Sequence, residues 1–133
     1  MSGIKTNILT PYGPVFTGVA KGVNLPGTEG AFEVKLNHAS LMSMLDIGKV
    51  TIRKENGSEE VFTVNGGFVE VHNNEVTVLA ESAEGKDQID VERARKAKEQ
   101  IERELKKEKQ KDIQMELALK RAINRIRVAE LRK

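Results

Sequence analysis

Apolar and polar positions change their rhythm once along this chain. From Ile4 to Glu84 apolar residues recur in short alternating or β-branched runs separated by turn residues, a pattern that predicts strands packed as a sandwich or barrel. The predicted strands are Thr6–Leu9, Gly13–Thr17, Val19–Val23, Ala31–Leu36, Lys49–Arg53, Glu60–Val64, Gly67–His72 and Glu75–Ala80. Pro11-Tyr12-Gly13-Pro14, Leu25-Pro26-Gly27, Glu55-Asn56-Gly57, Gly66-Gly67 and Asn73-Asn74 supply the fixed or positive φ angles of tight turns. Asn73-Asn74 in particular predicts a two-residue hairpin, with Phe68, Val76 and Val78 on its apolar face.

After Glu84 the period lengthens to that of a helix. Ala94, Ala97, Ile101 and Leu105 form one apolar stripe; Met115, Leu119, Ala122, Ile126 and Ala129 form a second. Between them the run 106–112 is polar and ends in Asp112, a good N-cap, as Asp87 or Asp90 is for the first helix. The fold class is therefore α+β: an antiparallel β-sandwich or barrel over residues 1–84, then a two-helix hairpin over 85–133. Both stripes are narrow and alanine-rich, so the hairpin is only marginally stable without further packing. Nothing in the connector forbids helix, and one straight rod from Ile89 to Leu131 would reach about 65 Å. The sequence permits a hairpin and a rod, two packings of the kind a switch requires, and equally a solvated appendage or a coiled-coil contact.

Composition sharpens the boundary. All 11 glycines lie at or before Gly85, and all three prolines and all five aromatics lie before it. Residues 1–84 carry 6 basic and 10 acidic side chains and residues 85–133 carry 16 and 10, a split hidden in the overall charge of +2. The interleaved acids, the lack of aromatics for base stacking and the absence of a recognition-helix motif argue against nucleic acid. An acidic protein surface is the better partner for the basic helices. No apolar run approaches a membrane span, and the N-terminus lacks the order of a signal peptide, so membrane association is expected through a partner.

Little catalytic chemistry is available. The absence of cysteine removes disulfides, thiolate metal sites and a cysteine nucleophile. His38 and His72 stand alone in sequence, with no nucleophile–base set or metal-ligand spacing around them. Gly66-Gly67 is no phosphate loop, because it opens a strand and no Lys-Ser/Thr follows. A noncatalytic protein without a metal site is expected.

The segments TPYGPVF (10–16), LPGTEGAFEV (25–34), LNHASLMSML (36–45), GGFVEVHNNEVTVLAESAE (66–84), IDVERA (89–94) and ELALKRAINRIRVAEL (116–131), in this order and spacing, resemble the epsilon subunits of bacterial F-type ATP synthases. The resemblance covers essentially the whole chain. It implies a central-stalk subunit at the cytoplasmic face of the bacterial cell membrane, with a β-sandwich bound to the gamma subunit and the c ring. It also implies C-terminal helices that permit turnover when folded and block ATP hydrolysis when extended into the alpha/beta catalytic head. Lys120, Arg121, Arg125 and Arg127 would then face acidic segments of that head. The rival is a free-standing binding module with a coiled-coil tail.

Within IDVERA, the pattern Ile/Leu-Asp-x-x-Arg-Ala at Ile89, Asp90, Arg93 and Ala94 resembles an ATP site that holds the hairpin folded in some bacilli. Asp90 can accept from adenine or ribose, Ala94 leaves room for a ring, and Arg93, Arg121 and Arg125 can meet phosphates, with Glu84 on the adenine side. Asp90 can equally cap the helix and pair with Arg93. Gln100, Glu104 and Gln114 stand where further basic residues would be expected in an ATP-binding member. For the c ring, similar subunits present an acid and a histidine in the loop matching residues 29–38. His38 is in place, as a contact or as a structural residue, and the displaced acid is Glu29 or Glu33.

Overall fold

The computed structural model describes residues 3–108 and 112–131. Eight strands come first: β1 (Ile4–Thr10), β2 (Gly13–Ala20), β3 (Gly22–Gly27), β4 (Gly30–Lys35), β5 (Leu41–Arg53), β6 (Glu59–His72), β7 (Glu75–Ala80) and β8 (Ala83–Gly85). A 3-10 turn at Lys86–Gln88 leads into α1 (Val91–Lys107) and α2 (Ile113–Ala129). The strands follow one hydrogen-bonded path, β2-β1-β7-β6-β5-β3-β4, with β8 also on β6. Neighbours run antiparallel except β1 and β7, which are parallel, so the antiparallel expectation fails at that one pair.

One path becomes a two-layer sandwich because β5 and β6 are long and turn a corner together. Their ladder pairs Leu45 with Gly67 and Ile47 with Asn65, leaving the Asp46–Gly66 pair open while the register continues unchanged on both sides. Gly66 (φ +84°) and Gly67 (φ +136°) provide the backbone angles of this bend. The sequence expectation of a turn between two strands here is corrected: the glycines bend one continuous strand. β7 and β8 keep a single register along β6 on either side of the same corner. The upper halves of β5 and β6 lie with β7, β1 and β2; the lower halves lie with β8, β3 and β4. Phe16 of β2 meets Phe62 of β6 edge-to-face, ring centroids 5.7 Å apart, although their strands are not paired.

The core holds Ile4, Ile8, Val23, Leu25, Val34, Val50, Ile52, Val64, Val69, Val71, Val76 and Val78, all fully buried. The Asn73-Asn74 hairpin forms with φ of +48° and +60°, the left-handed pair of a tight hairpin turn. It pairs Val71 with Val76, Val69 with Val78 and Phe68 with Leu79. Phe68 therefore lies on the opposite face from Val76 and Val78, contrary to the sequence expectation. The expected strand Val19–Val23 is divided at Lys21, between β2 and β3, and residues 41–48 and 83–85 are strand where none was expected.

The helices run antiparallel, with Arg95 near the start of α1 bridging to Glu130 past the end of α2 at 2.8 Å. Ala94 and Ala122 are buried and the other stripe residues half-buried, as the alanine pattern requires. α2 lies against β5, β6 and the 3-10 turn, while α1 packs chiefly on α2. Asp112 caps α2 by accepting from the Met115 amide at 3.2 Å. Residues 109–111 of the expected connector lie outside the described residues.

The corner generates a stability prediction. A Cβ on Gly67 would strike the Leu79 carbonyl oxygen and come within 2.8 Å of Ala80 Cα, at a φ that L-residues rarely adopt. Gly67→Ala should cost at least about 2 kcal/mol in chemical denaturation, whereas Gly57→Ala, in an open turn, should cost less.

Candidate functional site

Local sequence fixes the start of the helical part. Gln88 Oε1 accepts from the Gly85 amide at 3.2 Å, closing the 3-10 turn, and Asp90 Oδ1 accepts from the Arg93 amide at 3.0 Å. Asp90 is thus the N-cap of α1, satisfying a helix amide that lacks an intrahelical carbonyl. Ile89 and Ala94 on either side of it are buried, at 9% and 0% exposure. Arg93 is exposed, and its guanidinium makes no ion pair or hydrogen bond among the described residues.

The remaining candidates meet on α2. Arg125 Nε donates to Glu84 Oε1 at 3.0 Å and Nη2 donates to Glu84 Oε2 at 3.4 Å, a side-on, half-buried pair joining α2 to β8. One turn earlier lies Arg121, half-buried, whose Nε is buried without a hydrogen-bond partner. Asn124 Nδ2 donates to the Gly48 carbonyl at 2.9 Å, and Lys120 Nζ bridges to Asp46 Oδ1 at 3.3 Å. Of the seven residues expected around a nucleotide, Glu84 and Arg125 are in direct contact and Asp90 acts on the Arg93 backbone. The grooves between the helices and beneath the 3-10 turn are lined by other residues. Arg127 is exposed and lines two shallow grooves, one with Arg95 and Ile126 and one with Ile47 and Leu119.

Asp46 and Asn124 had no role assigned from sequence. Asp46 is a lone acid after an apolar run, and Asn124 is one polar residue on a polar face; neither has a pattern that foretells its partner.

The residues expected at the c ring flank β4 or lie on it: Glu29 precedes the strand, Glu33 is in it and His38 follows it. Glu29 is exposed at the tip of the β3–β4 hairpin without a partner among the described residues. Glu33 is committed to Arg53 at 3.0 Å and to Lys35 at 3.7 Å, so Glu29 is the available acid. His38 is half-buried, its Nδ1 2.8 Å from the Ala39 carbonyl. His72 Nδ1 lies 3.0 Å from Ser40 Oγ, and Asn73 Nδ2 lies 3.0 Å from His72 Nε2. Among the described residues no group of three or more metal-ligating side chains occurs, and no helix is long and apolar enough to cross a membrane.

On the outer face of the upper layer Met42, Met44, Phe68 and Leu79 form an apolar band across β5, β6 and β7, with Met42 64%, Met44 60% and Leu79 46% exposed.

Comparison with known proteins agrees with this two-part architecture. Residues 3–86 match the beta-sandwich domain of the ATP synthase Delta/Epsilon chain, and residues 87–130 match the long alpha-helix domain of the same chain. The chain belongs to the ATP synthase delta/epsilon family. It is 44% identical over 130 residues to the ATP synthase epsilon chain of Shouchella clausii, covering 98% of this chain and 97% of that one. Against the epsilon chain of Bacillus pumilus it is 41% identical, covering 97% and 98%. The fold is shared with a chain in the Euglena gracilis mitochondrial ATP synthase OSCP/F1/c-ring structure, at a TM-score of 0.81, 21% identity, and coverage of 93% of this chain and 79% of that one. A chain of the Tetrahymena thermophila ATP synthase central stalk and c ring aligns at a TM-score of 0.61 and 16% identity over 95% and 92%. This delta/epsilon family member is a noncatalytic subunit of the ATP synthase central stalk.

The capping geometry separates two roles of Asp90. Asp90→Ala should lower the stability of the helical part by about 1 kcal/mol while Asp90→Asn, which keeps the acceptor, should cost less; circular dichroism melts of the full chain check this.

Proposed function

We propose that this subunit couples ATP level to the inhibition of ATP hydrolysis through movement of its helical hairpin. The observation that carries the reading is the way the hairpin is attached. α1 rests on α2, and α2 is tied to the sheet by polar contacts at Lys120, Asn124 and Arg125. Each such contact is worth about 1 kcal/mol or less where solvent reaches it. A helix held in this way can leave without dismantling the buried β core. Extended along the stalk, α2 would carry Lys120, Arg121, Arg125 and Arg127 to the alpha/beta catalytic head and oppose rotation in the hydrolysis direction.

The β-sandwich is the docking part. The apolar band of Met42, Met44, Phe68 and Leu79 suits burial on the gamma subunit, and the exposed Glu29 and the half-buried His38 suit the c ring. The subunit is thereby a peripheral part of the proton-translocating complex, on the cytoplasmic face of the bacterial cell membrane.

ATP, as a regulatory ligand, binds the folded hairpin in this reading. Support comes from the unpartnered Arg121 Nε beside Arg125 and from the exposed, unpaired Arg93, cations suited to phosphate oxygens. Glu84, now on Arg125, would turn to the base, with Ile89, Asp90 and Ala94 on the adenosine side. A tenfold excess of ATP over its dissociation constant would stabilise the folded state by about 1.4 kcal/mol.

Two experiments check this reading. Millimolar ATP should raise the unfolding temperature of the chain by about 4 °C, and Arg93→Ala should remove the shift; no shift in the unaltered chain would refute the nucleotide site. Joining Arg95→Cys to Glu130→Cys with a short cross-linker should fix the hairpin shut and speed ATP hydrolysis by the assembled ATP synthase. Hydrolysis no faster than in the uncross-linked complex would refute inhibition by the helices.

A further inference from the structure

We infer that the strand corner and β8 together form an ionic clasp for α2, and that this clasp makes hairpin release sensitive to ionic strength. Three acceptors from the β domain converge on six successive residues of one helix: the Asp46 carboxylate on Lys120, the Gly48 carbonyl on Asn124 and the Glu84 carboxylate on Arg125. Two of the three come from the β5 segment immediately at the bend, where Asp46 has no paired partner in β6. The corner that folds the sheet thus also presents the carboxylate and carbonyl to the helix.

The two ion pairs differ in solvation. Lys120 and Asp46 have side chains 53% and 51% exposed, whereas those of Arg125 and Glu84 are 27% and 32% exposed. Mobile ions screen exposed charges first, so the Asp46–Lys120 contact is the salt-responsive member and Glu84–Arg125 the more persistent one. Asn124 sets the register between them, because its neutral bond to a fixed backbone carbonyl is insensitive to salt. The clasp also occupies two of the cations assigned above to the catalytic head. Asp46 and Glu84 act as an internal substitute for an acidic partner, and release of the helix frees both cations in one event.

This inference rests on the proposed hairpin movement, but it is tested without hydrolysis. The natural sequence has no cysteine, so labels at Glu55→Cys and Ile113→Cys are unique, and energy transfer between them in the full chain reports opening. Amide hydrogen exchange of α2 reports rare opening in the same samples. Raising salt from about 20 mM to about 500 mM should increase opening several-fold. Asp46→Asn and Lys120→Gln should each increase opening roughly threefold, and the pair together no more than either alone. Asp46→Asn should also blunt the salt response, and the swap Asp46→Lys with Lys120→Asp should restore closure.

Unchanged opening in both single variants, additive effects of the two, or an undiminished salt response in Asp46→Asn would overturn the clasp. If the variants open the hairpin while hydrolysis by the assembled complex stays unchanged, the clasp stands and the proposed regulation fails.

Discussion

The structure depends on one bend shared by two long strands. β5 and β6 stay in register through the open Asp46–Gly66 pair, and the two positive-φ glycines let the sheet fold across itself there. Without the corner the hydrogen-bonded path would be a single twisted sheet with one apolar face open to water. With it, Val69, Val71, Val76 and Val78 of the upper layer close over Val50, Ile52, Phe62 and Val64 of the lower. Hydrophobic burial drives that closure, but the backbone freedom of glycine at this one place permits it.

The same bend governs how the helices attach. It leaves Asp46 outside the ladder and brings the Gly48 carbonyl within reach of α2. β8 continues the register of β7 along β6 beyond the corner and carries Glu84 to Arg125. The β domain therefore has a deep apolar core, while three partly solvated polar contacts, at Lys120, Asn124 and Arg125, help join α2 to it. These two kinds of bonding differ in cooperativity: a packed core opens only with the whole domain, and a seam of partly solvated contacts can open by itself.

Much of this was legible in the chain. The break in hydrophobic period near residue 85 marked the passage from sheet to helix, and the alanine stripes marked the faces on which the helices meet. Asp90 and Asp112 were readable as caps, since both precede helical runs and a helix end needs an acceptor for its free amides. The Phe68 assignment went astray for a simple geometric reason. A two-residue turn at 73–74 joins positions whose numbers add to 147, so even-numbered residues of β7 share a face with odd-numbered residues of β6. Val69 and Val71, not Phe68, must then lie beside Val78 and Val76. Gly66-Gly67 misled differently, because positive φ serves a turn or a bend equally well and only long-range pairing distinguishes them.

The sequence by itself determined the fold class, the two-helix ending, the caps, the Asn73-Asn74 hairpin and the separation of charge, because each depends on neighbours a few residues apart. Tertiary structure decided the parallel β1–β7 pairing, the corner that makes one sheet into two layers, and which acids receive Lys120 and Arg125. Those contacts join positions as distant as Asp46 and Lys120, and local propensity has no term for such pairs. The candidate site divides in the same way: its residue types were readable along the chain, but the meeting of Glu84 with Arg125 came only when burial of the core had fixed β8 against β6.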